Sequence, residues 1–183
     1  MIYGSDITTP IISCDHHENH TLGANINAAV KDCRTDYFVR VDGDDWDRWT
    51  GMVKFKFYDD SLAMINSQYF YAYCPLYVVF RNGNENILRH SPQGAGIIYR
   101  IDYFNKLGGY DETLNYQSDL DFYIRFTRRY HMGYSMVRYR WYITDKSQSI
   151  DSARLLDARY ELLEKYQLRD QDIPHFGAYN LGG

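Results

Sequence analysis

Tyr37-Phe38-Val39-Arg40-Val41-Asp42-Gly43-Asp44-Asp45-Trp46 joins a short β-type run to three carboxylates within four positions. Like charges that close repel, and folding gains nothing from crowding them unless a positive charge sits among them. Hard oxygen ligands of this kind select Mg2+ or Mn2+ rather than zinc or copper. A divalent metal beside a strand end points to a phosphate-bearing ligand, because such a metal neutralises phosphate charge. Two blander readings compete. A calcium loop needs acidic or amide residues at alternate positions and a later Glu, and Trp46 and Arg48 break that spacing. A solvated acidic turn stays open.

Upstream, Leu22, Ile26, Ala29, Val30 and Cys33 recur at steps of three and four and predict a helix over 22–33 with one buried face. Before it, Pro10-Ile11-Ile12-Ser13 is β-like. Strand, helix and strand in that order predict a βαβ unit and a parallel sheet. In open parallel sheets ligands gather beyond the carboxyl ends of the strands, which is where Asp42, Asp44 and Asp45 lie. The intervening polar segment carries His16, His17 and His20, which read as a solvated or capping loop in preference to a metal site.

Downstream, 46–67 reads as helical or irregular, with Lys54 and Lys56. One or two strands are expected over 68–80, and Arg81-Asn82-Gly83-Asn84 is a turn signal. The loop Gln93-Gly94-Ala95-Gly96 feeds the apolar stretch Ile97-Ile98-Tyr99-Arg100. A short helix over 101–107 closes at Gly108-Gly109, a second helix spans 116–130, and a strand spans 134–142. The strongest amphipathic pattern is a helix over 151–166, whose apolar side carries Leu155, Leu156, Leu162, Leu163 and Tyr166.

The composition suits one globular domain with a sizeable core: 183 residues, 45% hydrophobic and 24% charged. The domain is expected over 1–166, with a tail at 167–183. A net charge of −4 argues against a nucleic-acid partner. No apolar run reaches the length of a membrane span, and no signal-peptide pattern opens the chain. Cys14, Cys33 and Cys74 fit neither a disulfide framework nor a zinc site, so a reducing, cytoplasmic location is expected. The 19 tyrosines are an unusual count, suited to half-buried positions and to clefts.

Two further groups could carry chemistry. Asp119 and Asp121 lie in the expected second helix, and a carboxylate in a cleft can serve as a general base. The competing reading is helix chemistry: acidic residues suit a first turn, and Asp121 can pair with Arg125 at i,i+4. Gly94, Ala95 and Gly96 are small enough for a ligand to approach the backbone. Arg128, Arg129, Arg138 and Arg140 could attract a diphosphate, although a solvated helix face and strand explain them more simply.

Taken in order, these pieces resemble an inverting, nucleotide-sugar-dependent glycosyltransferase of family 2, with the GT-A fold. The resemblance begins at Asn19-His20-Thr21-Leu22-Gly23-Ala24-Asn25-Ile26-Asn27, where family members carry a first Asn, a Gly-containing stretch and a second Asn. Asp42 follows at the family's usual gap, and Asp42-Gly43-Asp44-Asp45 is similar to its Asp-Ala-Asp-Asp form. Gly94 to Arg100 resembles the acceptor-side loop and strand. Phe104-Asn105-Lys106-Leu107-Gly108-Gly109-Tyr110-Asp111-Glu112 resembles the family's Gly-Gly-aromatic-Asp-Glu segment. Gln117-Ser118-Asp119-Leu120-Asp121-Phe122-Tyr123-Ile124-Arg125 resembles its Glu-Asp-x-Asp helix. Tyr139-Arg140 with Ser147 and Ser149 resembles its closing segment.

This resemblance implies an α/β, Rossmann-like GT-A fold: a mixed, mostly parallel sheet flanked by helices. It implies a hexosyltransferase-like enzyme that moves a sugar from a UDP-, GDP- or dTDP-linked donor to a glycan or other hydroxyl acceptor. Asn27, Asp42 and Asp44 would contact the nucleotide, Asp44 and Asp45 would hold Mn2+ or Mg2+, and Asp119 would be the base. Gly94, Ala95, Gly96 and Asp121 would lie on the acceptor side. The chain also departs from the family. Tyr3-Gly4-Ser5-Asp6 reads as the remnant of a nucleotide-binding turn whose strand and helix are missing, an N-terminal truncation that would expose a sheet edge to a partner or a second copy. Ile26 stands where many members carry Arg, Ser118 replaces a Glu, and Tyr142 or Asp145 lies near the family's metal-binding His. A degenerate, non-catalytic GT-A domain that binds a partner is therefore the alternative. A nucleotidyltransferase would carry a Gly-rich, basic phosphate loop near its start, and the sequence shows none.

Overall fold

Thr21 opens the first helix, α1 (Leu22–Asp32), by accepting a hydrogen bond from the Ala24 N–H at 3.2 Å. A computed structural model describes residues 20–40, 71–73, 76–79, 85–88, 97–131, 133–134, 139–142 and 152–173, with side chains for 20–40, 97–131 and 153–173. The expected strand at 10–13 and the residues Asp42, Asp44, Asp45, Gly94, Ala95 and Gly96 lie outside the described residues.

The buried stripe of α1 differs from the expected one. Gly23, Asn25, Ile26, Asn27 and Val30 are buried, whereas Leu22 is 37% exposed. The spacing is still helical, but three of the five buried positions are not apolar. Gly23 is there because a Cβ would stand 3.1 Å from the Asp111 carbonyl oxygen, so the 110–112 backbone lies directly on the helix.

The strands are short: β1 (Tyr37–Val39), β2 (Tyr71–Tyr73), β3 (Leu76–Val79), β4 (Glu85–Leu88), β5 (Ile98–Arg100), β6 (Gly133–Tyr134) and β7 (Tyr139–Tyr142). One sheet runs β1-β5-β2-β6 and another β4-β3-β7. Both are mixed. β5 is antiparallel to β1 and to β2, and β3 is antiparallel to β4, while β2–β6 and β3–β7 are parallel. Antiparallel pairs therefore outnumber parallel ones among the described residues, where a mostly parallel sheet is expected. The turn signal at 81–84 lies between the paired β3 and β4, a strand the apolar pattern does not mark. The single strand expected over 134–142 is two strands, and they serve different sheets.

The helix α2 (Ile101–Lys106) follows β5 directly and ends at Gly108 and Gly109, both at positive φ. Their N–H groups return to the Asn105 and Phe104 carbonyls, which closes the helix end. Next come α3 (Ser118–Thr127) and α4 (Ser152–Tyr166).

α3 is the centre of the described packing. Its Phe122 and Phe126 enter an aromatic core with Ile26, Val30, Tyr99, Phe104 and Tyr110. Phe38 stacks on Tyr99 with ring centroids 4.7 Å apart, which ties β1 to β5. Its Leu120 and Ile124 face the other way, against Leu162 and Leu163 of α4 and against Ile173. The segment after α4 thus packs inward, although its sequence carries no clear pattern. On α4 the apolar side differs by one notable position. Leu156 is 40% exposed, and the buried stripe instead contains Arg159, 1% exposed and bonded to Asp170 at 2.7 Å. Among the described residues, no helix is long and apolar enough to cross a membrane.

Candidate active site

The start of α3 is shaped by one unusual backbone angle. Gln117 adopts the left-handed conformation (φ 60°), which costs a non-glycine residue about 1–2 kcal/mol. Its buried side chain donates to the Leu155 carbonyl oxygen on α4 at 3.2 Å. The chain turns sharply there and presents Asp119 in the first helical turn, partly exposed, with Oδ1 accepting the Leu120 N–H at 2.9 Å.

Tyr110 is fully buried, with its hydroxyl 2.5 Å from the Tyr99 hydroxyl. The Arg40 side chain hydrogen-bonds the same hydroxyl. Burial pushes the Tyr110 hydroxyl up to about 12, against the opposing pull of the Arg40 charge and the Tyr99 bond and with a further push from the Asp119 charge. At neutral pH this hydroxyl is therefore protonated, and it lies within electrostatic reach of both Arg40 and Asp119. Arg40 directly follows β1 and stands two positions before Asp42. The hydroxyl that Arg40 bonds, just after β1, thus also feels the Asp119 charge at the start of α3.

Asp121, two residues along, has a different setting. Its side chain is 0% exposed, with Oδ2 2.7 Å from Arg125 Nε. Oδ1 accepts the Tyr166 hydroxyl at 2.6 Å and Lys165 Nζ at 3.2 Å. Lys165 also reaches Asp111 at 3.2 Å. Burial pushes the Lys165 ammonium down, but its hydrogen bonds to Asp121 and Asp111 outweigh that and hold it above the ordinary lysine value. The Thr113 hydroxyl holds the Asp111 carboxyl below its ordinary value. Arg125 also donates to the Leu107 and Gly109 carbonyl oxygens, each at 2.7 Å, at the carboxyl end of α2. Asp121, expected on the acceptor side, is here the junction of α3, α4 and the turn after α2. The i,i+4 pairing with Arg125 is one of its bonds.

Asn27, expected at the nucleotide, commits its amide to the same turn. Nδ2 donates to the Tyr110 carbonyl oxygen at 2.8 Å and to Glu112 Oε1 at 2.9 Å, and Oδ1 accepts the Tyr110 N–H at 2.9 Å. Gly109 must be glycine beside it: φ is +69°, and a Cβ would fall 2.5 Å from Asn27 Oδ1.

The roles of Gln117, Tyr99, Tyr110, Lys165 and Tyr166 are not visible in the sequence patterns. The tyrosine count and the Gly108-Gly109-Tyr110-Asp111-Glu112 run are the signals that lead toward two of them. Among the described residues, no group of three or more His, Cys, Asp or Glu is arranged to hold a metal ion. Neither the family models nor the curated proteins include a match to this chain.

Proposed function

We propose that this chain is an inverting glycosyltransferase that moves a sugar from a nucleotide-sugar donor to an acceptor hydroxyl. One observation supports the reading most: the buried Tyr110 hydroxyl, hydrogen-bonded by Arg40 at the strand end before Asp42, lies within reach of the Asp119 charge. That convergence suits a donor held by the acidic cluster and a base held by α3. The Asp119 carboxylate takes the proton of an acceptor hydroxyl as that oxygen bonds to the anomeric carbon. The bond from that carbon to the diphosphate oxygen breaks on the opposite face, so the configuration inverts.

Asp42, Asp44 and Asp45 fit a hard divalent cation by donor chemistry, being three carboxylates. Asp44 and Asp45 would hold Mn2+ or Mg2+, with Asp42 and Asp44 toward the ribose. The cation would supply neutralisation of the diphosphate charge. Gly94, Ala95 and Gly96 would let the acceptor approach the backbone.

The test is incubation with Mn2+ and a panel of nucleotide sugars, reading free nucleoside diphosphate. Turnover is expected with at least one donor, and Asp119→Asn is expected to abolish it with the circular dichroism unchanged. Full turnover by Asp119→Asn would remove Asp119 from the base role. The engagement of the Asn27 amide within the protein favours a second reading, a GT-A domain that binds a partner without catalysis. Calorimetry with UDP, GDP and dTDP plus Mn2+ separates the two, since absent or millimolar binding selects the second.

A further inference from the structure

Asp119 is flanked by two residues that are both bonded to α4. Two positions before it, Gln117 donates to the Leu155 carbonyl oxygen near the start of α4. Two positions after it, Asp121 accepts from Lys165 and Tyr166 at the end of α4. The contacts are 3.2 Å at the first end, and 3.2 and 2.6 Å at the second. Between them Leu120 and Ile124 pack on Leu162 and Leu163. Ser118, Asp119 and Leu120 are thus suspended between two tethers to one rigid element. The left-handed Gln117 needs such a tether, because its backbone conformation is unfavourable without one. The aim of the Asp119 carboxyl is then set from α4.

We infer that α4 is a clamp and that Gln117, Lys165 and Tyr166 are positioning residues for Asp119. This rests on Asp119 being the base, as proposed above, but the geometry can be judged apart from activity. The Leu120 N–H donates to Asp119 Oδ1, so its resonance reports where the carboxyl points.

The variant is Tyr166→Phe, which keeps the ring and removes the hydroxyl that bonds Asp121. Tyr160→Phe is the control, on the same helix but 54% exposed. In 1H–15N spectra of the full chain, Tyr166→Phe is expected to shift the Leu120 amide and speed its hydrogen exchange more than other α3 amides, with Tyr160→Phe silent. Loss confined to overall stability would speed exchange at all α3 amides together and would overturn the clamp. Where the wild-type protein turns over a donor, Tyr166→Phe is expected to lower kcat about tenfold or more with KM nearly unchanged, as small misplacements of a reacting group do. Lys165→Arg, which keeps a cation for Asp121 and Asp111, is expected to retain more turnover than Lys165→Met. Equal kcat in wild type and Tyr166→Phe would also overturn it. If the wild-type protein turns over no donor, the sugar-transfer reading falls and the Leu120 amide alone judges the clamp.

Discussion

Asn27→Ala separates a structural from a ligand-facing role for the amide expected at the nucleotide. The substitution deletes three hydrogen bonds between α1 and the turn after α2. Two of them satisfy the backbone of Tyr110, a residue only 2% exposed. A buried backbone group left without a partner costs about 1–3 kcal/mol, so the pair sets a range of roughly 2–6 kcal/mol. The third partner, Glu112, is exposed and regains water, so it adds little. A water entering the vacated space would recover part of the loss, which brings the expected cost to about 3 kcal/mol. With a urea slope of about 2 kcal/mol per molar, the unfolding midpoint should fall by roughly 1.5 M. Equilibrium urea unfolding followed by tryptophan fluorescence and far-ultraviolet circular dichroism measures it, with coincident transitions as the two-state check. Asn27→Asp is the companion variant. It keeps the acceptor for the Tyr110 N–H, loses the donor, and sets a second carboxylate beside Glu112, so an intermediate loss is expected. A loss below about 1 kcal/mol in Asn27→Ala, together with weakened nucleotide binding, would refute the reasoning, because unpaired buried groups cannot be that cheap.

The two glycines that close α2 should respond unequally to alanine. Gly108→Ala meets open space and should cost only the left-handed backbone, about 1–2 kcal/mol, whereas Gly109→Ala must also displace Asn27 and should exceed about 3 kcal/mol in the same urea assay. Equal losses would count against the close packing of Gly109 on Asn27. Tyr110 makes a prediction about alkali. Its folded hydroxyl holds the proton up to about 12, against an ordinary value of 10.0. A raised value means that the stability linked to this group is full below pH 10 and drains away as the pH climbs toward 12. Tyr110→Phe keeps the ring and cannot ionise, so its stability should fall less steeply across that window, as read by thermal unfolding at a series of alkaline pH values. An identical alkaline limb in the two proteins would assign the loss to other groups.

Local patterns carried the helices well and their partners poorly. Steps of three and four mark the helices over 22–33 and 151–166 to within a residue or so of α1 and α4. They misplace the buried faces because Gly23, Asn27 and Arg159 are buried without being apolar. The bond of Asp121 to Arg125 is legible because both lie on one helix, four residues apart. Its bonds to Lys165 and Tyr166 bridge separations of 44 and 45 residues, and those of Asn27 bridge 83 and 85, where no periodicity reaches. The second helix begins at Ser118, two residues later than expected, because the left-handed turn at Gln117 carries no signature in a glutamine. Strand pairing was the least legible feature. β6 and β7 sit close in sequence and read as one strand, and only the fold assigns them to different sheets.

The distance along the chain from α3 to the end of α4 also has a meaning in time. A ribosome adds about 5–20 residues per second, so Lys165 and Tyr166 follow Asp121 by roughly 2–9 seconds. For that interval Leu120 and Ile124 have no Leu162 or Leu163 to cover them, and Asp121 has only the bond to Arg125. A nascent chain that stops short of α4 leaves the apolar side of α3 and the Asp121 carboxylate open to water. Arrival of α4 covers both at once, so the end of the domain that carries Asp119 matures in a single late step.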